Sequence, residues 1–116
     1  MQDIRIDVGV DTHLTVNLGD DYQIPENEVL VFTIKNAPFA RTEAVVERKF
    51  AYNPEQAENK IFDIYITAKE SVQILDNAEY DFNRIILDGN GEEKYRFKMT
   101  DNGKVKLRKG VGGGIA

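Results

Sequence analysis

His13 is the single histidine of this 116-residue chain, and cysteine is absent. A multi-histidine metal site or a Cys–His nucleophile pair therefore cannot be assembled from it. His13 lies on an alternating stretch, where a solvent-facing position is expected. Asp88-Gly89-Asn90-Gly91-Glu92 has the opening of a calcium-binding loop, but the further acidic ligand, the glycine and the distal Glu at set offsets are missing. A hairpin turn is the better reading. Asp20, Asp21, Glu26 and Glu28 make acidic loops of the kind that is ordinarily solvated. Ser71 has no base in its sequence context and reads as a helix cap rather than a nucleophile. Gly112-Gly113-Gly114 follows a strand without opening a helix, so it is no phosphate loop. Tyr22, Phe39, Tyr52 and Tyr65 are the candidates for an aromatic sugar platform, although tyrosine on a sheet face more often packs. These residue types point to no enzyme: no catalytic group, no cofactor and no metal site is expected.

The pattern that composition does not foretell is cationic. Lys94, Arg96, Lys98, Lys104, Lys106 and Arg108 alternate along the last third of a chain whose net charge is −5. If Asp101-Asn102-Gly103 is a three-residue hairpin loop, Met99 pairs with Val105 and Phe97 with Leu107, and both apolar sets face inward. Gly103 would then take the position that needs φ > 0. The outer face would align Lys98 with Lys106 and Arg96 with Arg108, with Lys109 nearby. Such a face either guards a sheet edge against aggregation or docks an acidic partner, a cell-wall polymer or a saccharide. The six alternating cations are the candidate interaction face.

The elements that must carry them are strands. The apolar residues, 41% of the chain, are mostly Val, Ile, Leu, Phe and Tyr, which suit pleated surfaces. With 30% charged residues this is the composition of a folded domain, and its length fits one sandwich-type core. No apolar run reaches the ~18 residues of a membrane span. Met1 to Arg5 lacks a basic flank and an apolar h-region, so no signal peptide is expected. The acidic balance argues against nucleic acid and anionic membranes as partners.

Ile4, Ile6 and Val8 outline a first strand, and Leu14, Val16 and Leu18 a second that stops at Gly19-Asp20-Asp21. Val29 to Asn36 puts Leu30, Phe32 and Ile34 on one face and Val29, Val31, Thr33 and Lys35 on the other. Thr42 to Phe50 is a weaker strand near an edge, and Tyr52 to Asn59 a loop. Ile61 to Thr67 aims Phe62, Ile64 and Ile66 inward. Thr67-Ala68-Lys69-Glu70 matches a capping box for a short helix whose buried side would hold Val72 and Leu75. Along Tyr80 to Leu87 the apolar parity switches between Phe82 and Ile85, which requires a bulge near Asn83-Arg84 or burial of both faces. Asp88-Gly89-Asn90-Gly91 signals a hairpin into Glu92 to Thr100, with Tyr95, Phe97 and Met99 inward. The expected architecture is all-β: an antiparallel two-sheet sandwich of about seven to nine strands with one short helical turn near 68–75. A single domain spans 1–109, and 110–116 is a Gly-rich flexible tail.

The order of these features resembles a known domain type. A Leu18-Gly-Asp-Asp-Tyr22 turn precedes Val31-Phe-Thr-Ile-Lys35. Phe62-Asp-Ile-Tyr-Ile-Thr67, Ala68-Lys-Glu-Ser-Val72, Leu75 and Tyr80-Asp-Phe-Asn-Arg-Ile85 follow. An Asp-Gly-Asn-Gly turn and a closing Gly103-Lys-Val-Lys-Leu107 strand complete it. From Asn17 to Arg108 this resembles the small β-sandwich domains at the N-termini of baseplate upper proteins and related tail or fibre components of phages infecting Gram-positive bacteria. The stretch between Ala37 and Asn59 is longer than in that pattern. The resemblance implies a non-enzymatic tail or baseplate protein, made in the host cytoplasm and residing in the virion. Its partners would be other virion proteins and further copies of itself. The alternative expectation is a carbohydrate-binding or adhesin-like sandwich, which requires an exposed aromatic row with convergent polar groups.

Overall fold

The computed structural model describes residues 3–17, 24–37, 43–52, 61–99 and 103–108. The expectations for Asp20, Asp21, Tyr22, Phe39, the 53–59 loop, Asp101, Asn102, Lys109 and the 110–116 tail lie outside the described residues.

The strand Glu28–Lys35 is where the alternating pattern has its largest effect, because both of its faces are buried from Leu30 to Ile34. Numbered in chain order it is β3, after β1 (Ile4–Asp7) and β2 (Thr12–Asn17). It is followed by β4 (Val46–Ala51), β5 (Ile61–Ile66), α1 (Ala68–Ser71), β6 (Glu79–Leu87), β7 (Glu93–Lys98) and β8 (Gly103–Arg108). The protein is all-β, and its described residues form two sheets and one turn of helix.

The larger sheet runs β1-β8-β6-β3-β4, with β7 also paired to β6. It packs on a second sheet, which among the described residues consists of β2 and β5. Leu30, Phe32 and Ile34 of β3 and Tyr80 and Phe82 of β6 form one face of the core. They meet Phe62, Ile64 and Ile66 of β5, with Ile6, Val46, Ile74 and Val105 closing the sides. Phe32 and Phe82 sit directly opposite in the β3–β6 ladder, with ring centroids 5.3 Å apart. Among the described residues all pairings are antiparallel except β1 with β8, which is parallel. Parallel pairing needs a long connection rather than a turn, and here the whole intervening domain supplies it.

The parity switch in β6 has a plain explanation. The β3–β6 register runs unbroken from Glu28 opposite Ile86 to Lys35 opposite Glu79, so no bulge interrupts that ladder near Asn83. Ile85, 4% exposed, and Val31, fully buried, instead lie on the face turned away from the core. Lys49 stands opposite Val31 and Arg96 opposite Ile85, and the aliphatic stems of such side chains can lie over apolar surface.

The capping box forms as expected: the Thr67 hydroxyl accepts from the Glu70 N–H at 3.1 Å, and the Glu70 carboxylate accepts from the Thr67 N–H at 3.0 Å. The expectation for Val72 and Leu75 is overturned. They are 57% and 60% exposed, while Ser71 and Ile74 are buried. The helix lasts only four residues, so its three-to-four spacing never extends to Leu75. Ser71 instead ties α1 to the β1–β2 turn, accepting from the Gly9 N–H at 2.8 Å and donating to the Ala68 carbonyl at 2.7 Å.

Candidate functional site

The six candidate cations lie on β7 and β8, and those strands are not a hairpin. Both follow the same edge of β6, one after the other. β7 pairs with the far half, Asn83 opposite Lys98 through Ile86 opposite Tyr95, and β8 pairs with the near end, Tyr80 opposite Gly103 and Glu79 opposite Lys104. The expected register, Met99 with Val105 and Phe97 with Leu107, is therefore overturned, as is the apposition of Lys98 with Lys106 and of Arg96 with Arg108. The physical reason is competition for a partner. β8 gains β1 on its other side, with Ile4 opposite Val105 and Ile6 opposite Leu107, and that ladder buries Ile6 and Val105 in the core.

Gly103 is correspondingly not a turn residue. Its backbone is not left-handed; Gly9 and Gly91 are the described glycines with positive φ. A Cβ on Gly103 would collide with the ring of buried Tyr80, so the position is glycine for want of space.

All six residues of β7 are exposed. Its partners in β6 set the facing: Arg96 and Lys98 oppose Ile85 and Asn83 on the outer face, whereas Tyr95 and Phe97 oppose Ile86 and Arg84 on the core side. They reach beyond the end of the core, and the inward packing expected of them does not occur: Tyr95 is 53% and Phe97 50% exposed. The two rings lie 6.1 Å apart. Between Ile86 and Leu87 the register shifts by one residue, so Leu87 opposes Glu93. That bulge places Glu93 on the outer face, where its carboxylate accepts from Arg96 at 2.9 Å. Lys94, the extra residue, puts its Nζ 5.3 Å from the Tyr95 ring centroid. The strand thus offers aromatics on one side and cations on the other.

On β8, Lys104 faces Glu79, Lys106 stands beside Arg5, and Arg108 stands beside Asp7, 3.5 Å from its carboxylate. Asp3, Arg5, Lys106, Leu107 and Arg108 line an open groove of about 680 Å³. The candidate cations follow one another along β7, which is a sheet edge, and β8, which lies between β1 and β6, and acidic neighbours interrupt the line.

Elsewhere, His13 does face solvent. Its Nε2 lies 3.4 Å from Asp63, which also accepts from Thr15 at 3.2 Å, and its ring is 5.6 Å from that of Tyr65. Tyr65 is 55% and Tyr52 38% exposed. Glu28, buried, takes a two-pronged bond from Arg84, with Nε to Oε2 at 3.0 Å. Asp88 closes the β6–β7 turn through the N–H groups of Asn90 at 2.8 Å and Glu92 at 3.0 Å. Among the described residues no three His, Asp or Glu side chains are grouped to hold a metal ion, and no helix is long and apolar enough to cross a membrane.

The exposed aromatic pair on β7 is what sequence reasoning missed. Cations at every second position are an edge-strand signal, and they argued for Tyr95 and Phe97 on a margin rather than in the core. No family model matches the chain, and no curated protein matches it.

Proposed function

We propose that this chain is a non-enzymatic structural component of a virion, a tail or baseplate protein made in the host cytoplasm that docks to other virion proteins and to copies of itself. The resemblance from Asn17 to Arg108 suggests the setting, and the all-β fold agrees with it. One observation carries the docking role: β7 has every residue exposed and, among the described residues, pairs on one side only. An unpaired strand is a template for another chain, and an exposed aromatic pair is the usual core of a contact surface. Mass spectrometry and immunogold labelling of purified particles test the reading. The protein is expected at one end of the tail and, by light scattering, as a defined oligomer in solution. Its absence from particles overturns the proposal.

A second reading, a carbohydrate-binding module, draws on Tyr65, which stands exposed beside His13, Asp63 and Thr15 on the outer face of the β2–β5 sheet. A sugar ring stacks on such an aromatic while nearby polar groups orient it. Glycan-array binding that Tyr65→Ala abolishes would favour this reading.

A further inference from the structure

We infer that the edge of β7 left unpaired among the described residues accepts an extended segment of a partner protein whose residues alternate between acidic and apolar. This rests on the docking role proposed above and gives the chemistry of the partner.

The backbone provides the first half of the recognition. The Met99 N–H donates to the Phe82 carbonyl at 2.9 Å, which continues the β6–β7 register one step beyond Asn83 opposite Lys98. In an antiparallel ladder, hydrogen-bonded and non-hydrogen-bonded pairs alternate. Counting back from Met99, Phe97 and Tyr95 direct their N–H and C=O groups to β6, and Lys98 and Arg96 direct theirs away from it. The outer edge of β7 therefore presents the donors and acceptors of Arg96 and Lys98 to whatever lies alongside. Strand addition uses such groups for affinity and the alternating side chains for specificity.

Those side chains define the second half. An added strand places alternate residues beside Tyr95 and Phe97 on one face and beside Arg96 and Lys98 on the other. Apolar residues cover the exposed rings, and carboxylates at every second position meet the cations. The same charges reject a second copy of β7. In an antiparallel self-pairing that keeps aromatics together, Tyr95 meets Phe97 only if Arg96 meets Arg96, and Phe97 meets Phe97 only if Arg96 meets Lys98. Like charges directly opposite are destabilising. The cations thus act as a filter, excluding this chain's own edge and admitting an acidic one.

The test uses the full chain and three labelled hexapeptides: alternating Val-Glu, a blocked order of the same composition (Val-Val-Val-Glu-Glu-Glu), and alternating Val-Lys. Fluorescence anisotropy gives affinity, and amide exchange followed by NMR gives the site. The alternating acidic peptide is expected to bind best and to protect the Arg96 and Lys98 amides. Arg96→Glu with Lys98→Glu should weaken it by about tenfold or more and shift preference to the Val-Lys peptide. Arg96→Pro removes an N–H that β6 does not use, and it should abolish binding while the melting temperature shows the domain still folded. Equal binding of the blocked peptide would reduce the effect to bulk charge and overturn the inference. So would binding that leaves the two amides unprotected. If no peptide binds but the protein is found in particles, this docking mode falls and the virion role stands. If the alternating acidic peptide binds as described and the protein is absent from particles, the edge stands and the virion role falls.

Discussion

Glu70 joins two parts of the molecule through one carboxylate. It closes the capping box of α1, and it accepts from the Arg48 guanidinium of β4 at 2.5 Å. Arg48 also donates to the Tyr65 carbonyl at 3.1 Å, so the contact bridges the two sheets beside the helix. Partial burial alone would raise the Glu70 carboxyl. The Thr67 N–H, the Arg48 hydrogen bond and charge, and the Thr67 hydroxyl outweigh it, and the group sits below its ordinary value of 4.5. A depressed carboxylate adds stability that is complete above the unfolded-state value and is lost as pH falls through the folded one. Glu70→Gln keeps an acceptor for the Thr67 N–H but removes the charge paired with Arg48, so it should cost about 0.5–1 kcal/mol at neutral pH. Thermal melts should show the difference from wild type closing only below pH 4.5. At the same scale, Gly103→Ala should destabilise by about 1–3 kcal/mol through overpacking against Tyr80. A cost of a few tenths in urea titration would contradict so close an approach.

At the scale of elements, the β6–β7 hairpin depends on its turn. Gly91 takes φ +78°, and the Asp88 carboxylate gathers two backbone N–H groups. Asp88→Ala should lower stability by about 1 kcal/mol, and exchange should show β7 amides opening before those of β3. This turn was legible in the sequence, as was the capping box, because both are settled within about five residues. The inward set of β3 and β5 was legible for a related reason: alternation alone assigns a face. What could not be read locally was the partner of each strand. Asp101-Asn102-Gly103 has the residues of a reversal, but the choice between pairing β8 with β7 and pairing it with β1 depends on Ile4 and Ile6, about a hundred residues away. Alternation points Tyr95 and Phe97 inward on the same local ground, and the core ends before it reaches them. Parity in β6 left two alternatives open, and only the continuous β3–β6 ladder decides between them. Of the candidate site, the cations were legible as a set, whereas their linear arrangement and their aromatic counterface came from topology.

For the whole molecule, stability centres on the tilted aromatic pair of Phe32 and Phe82, both fully buried. Phe32→Ala should cost about 3–5 kcal/mol, a large share of the ~5–15 kcal/mol expected of a domain. Its melting transition should move far below that of Val72→Ser, which alters an exposed position. The parallel β1–β8 pair has a separate, mechanical consequence. Ile4 lies beside Val105 and Asp7 beside Arg108, so tension applied through residues 3 and 108 drags the two strands along each other in opposite directions. The rungs of that ladder are then loaded together in shear rather than opened one at a time. In force spectroscopy, pulling from these positions should give a higher rupture force than pulling across the β6–β7 hairpin, whose rungs unzip singly. A protein strung in line within a larger assembly would thereby carry load along its own chain.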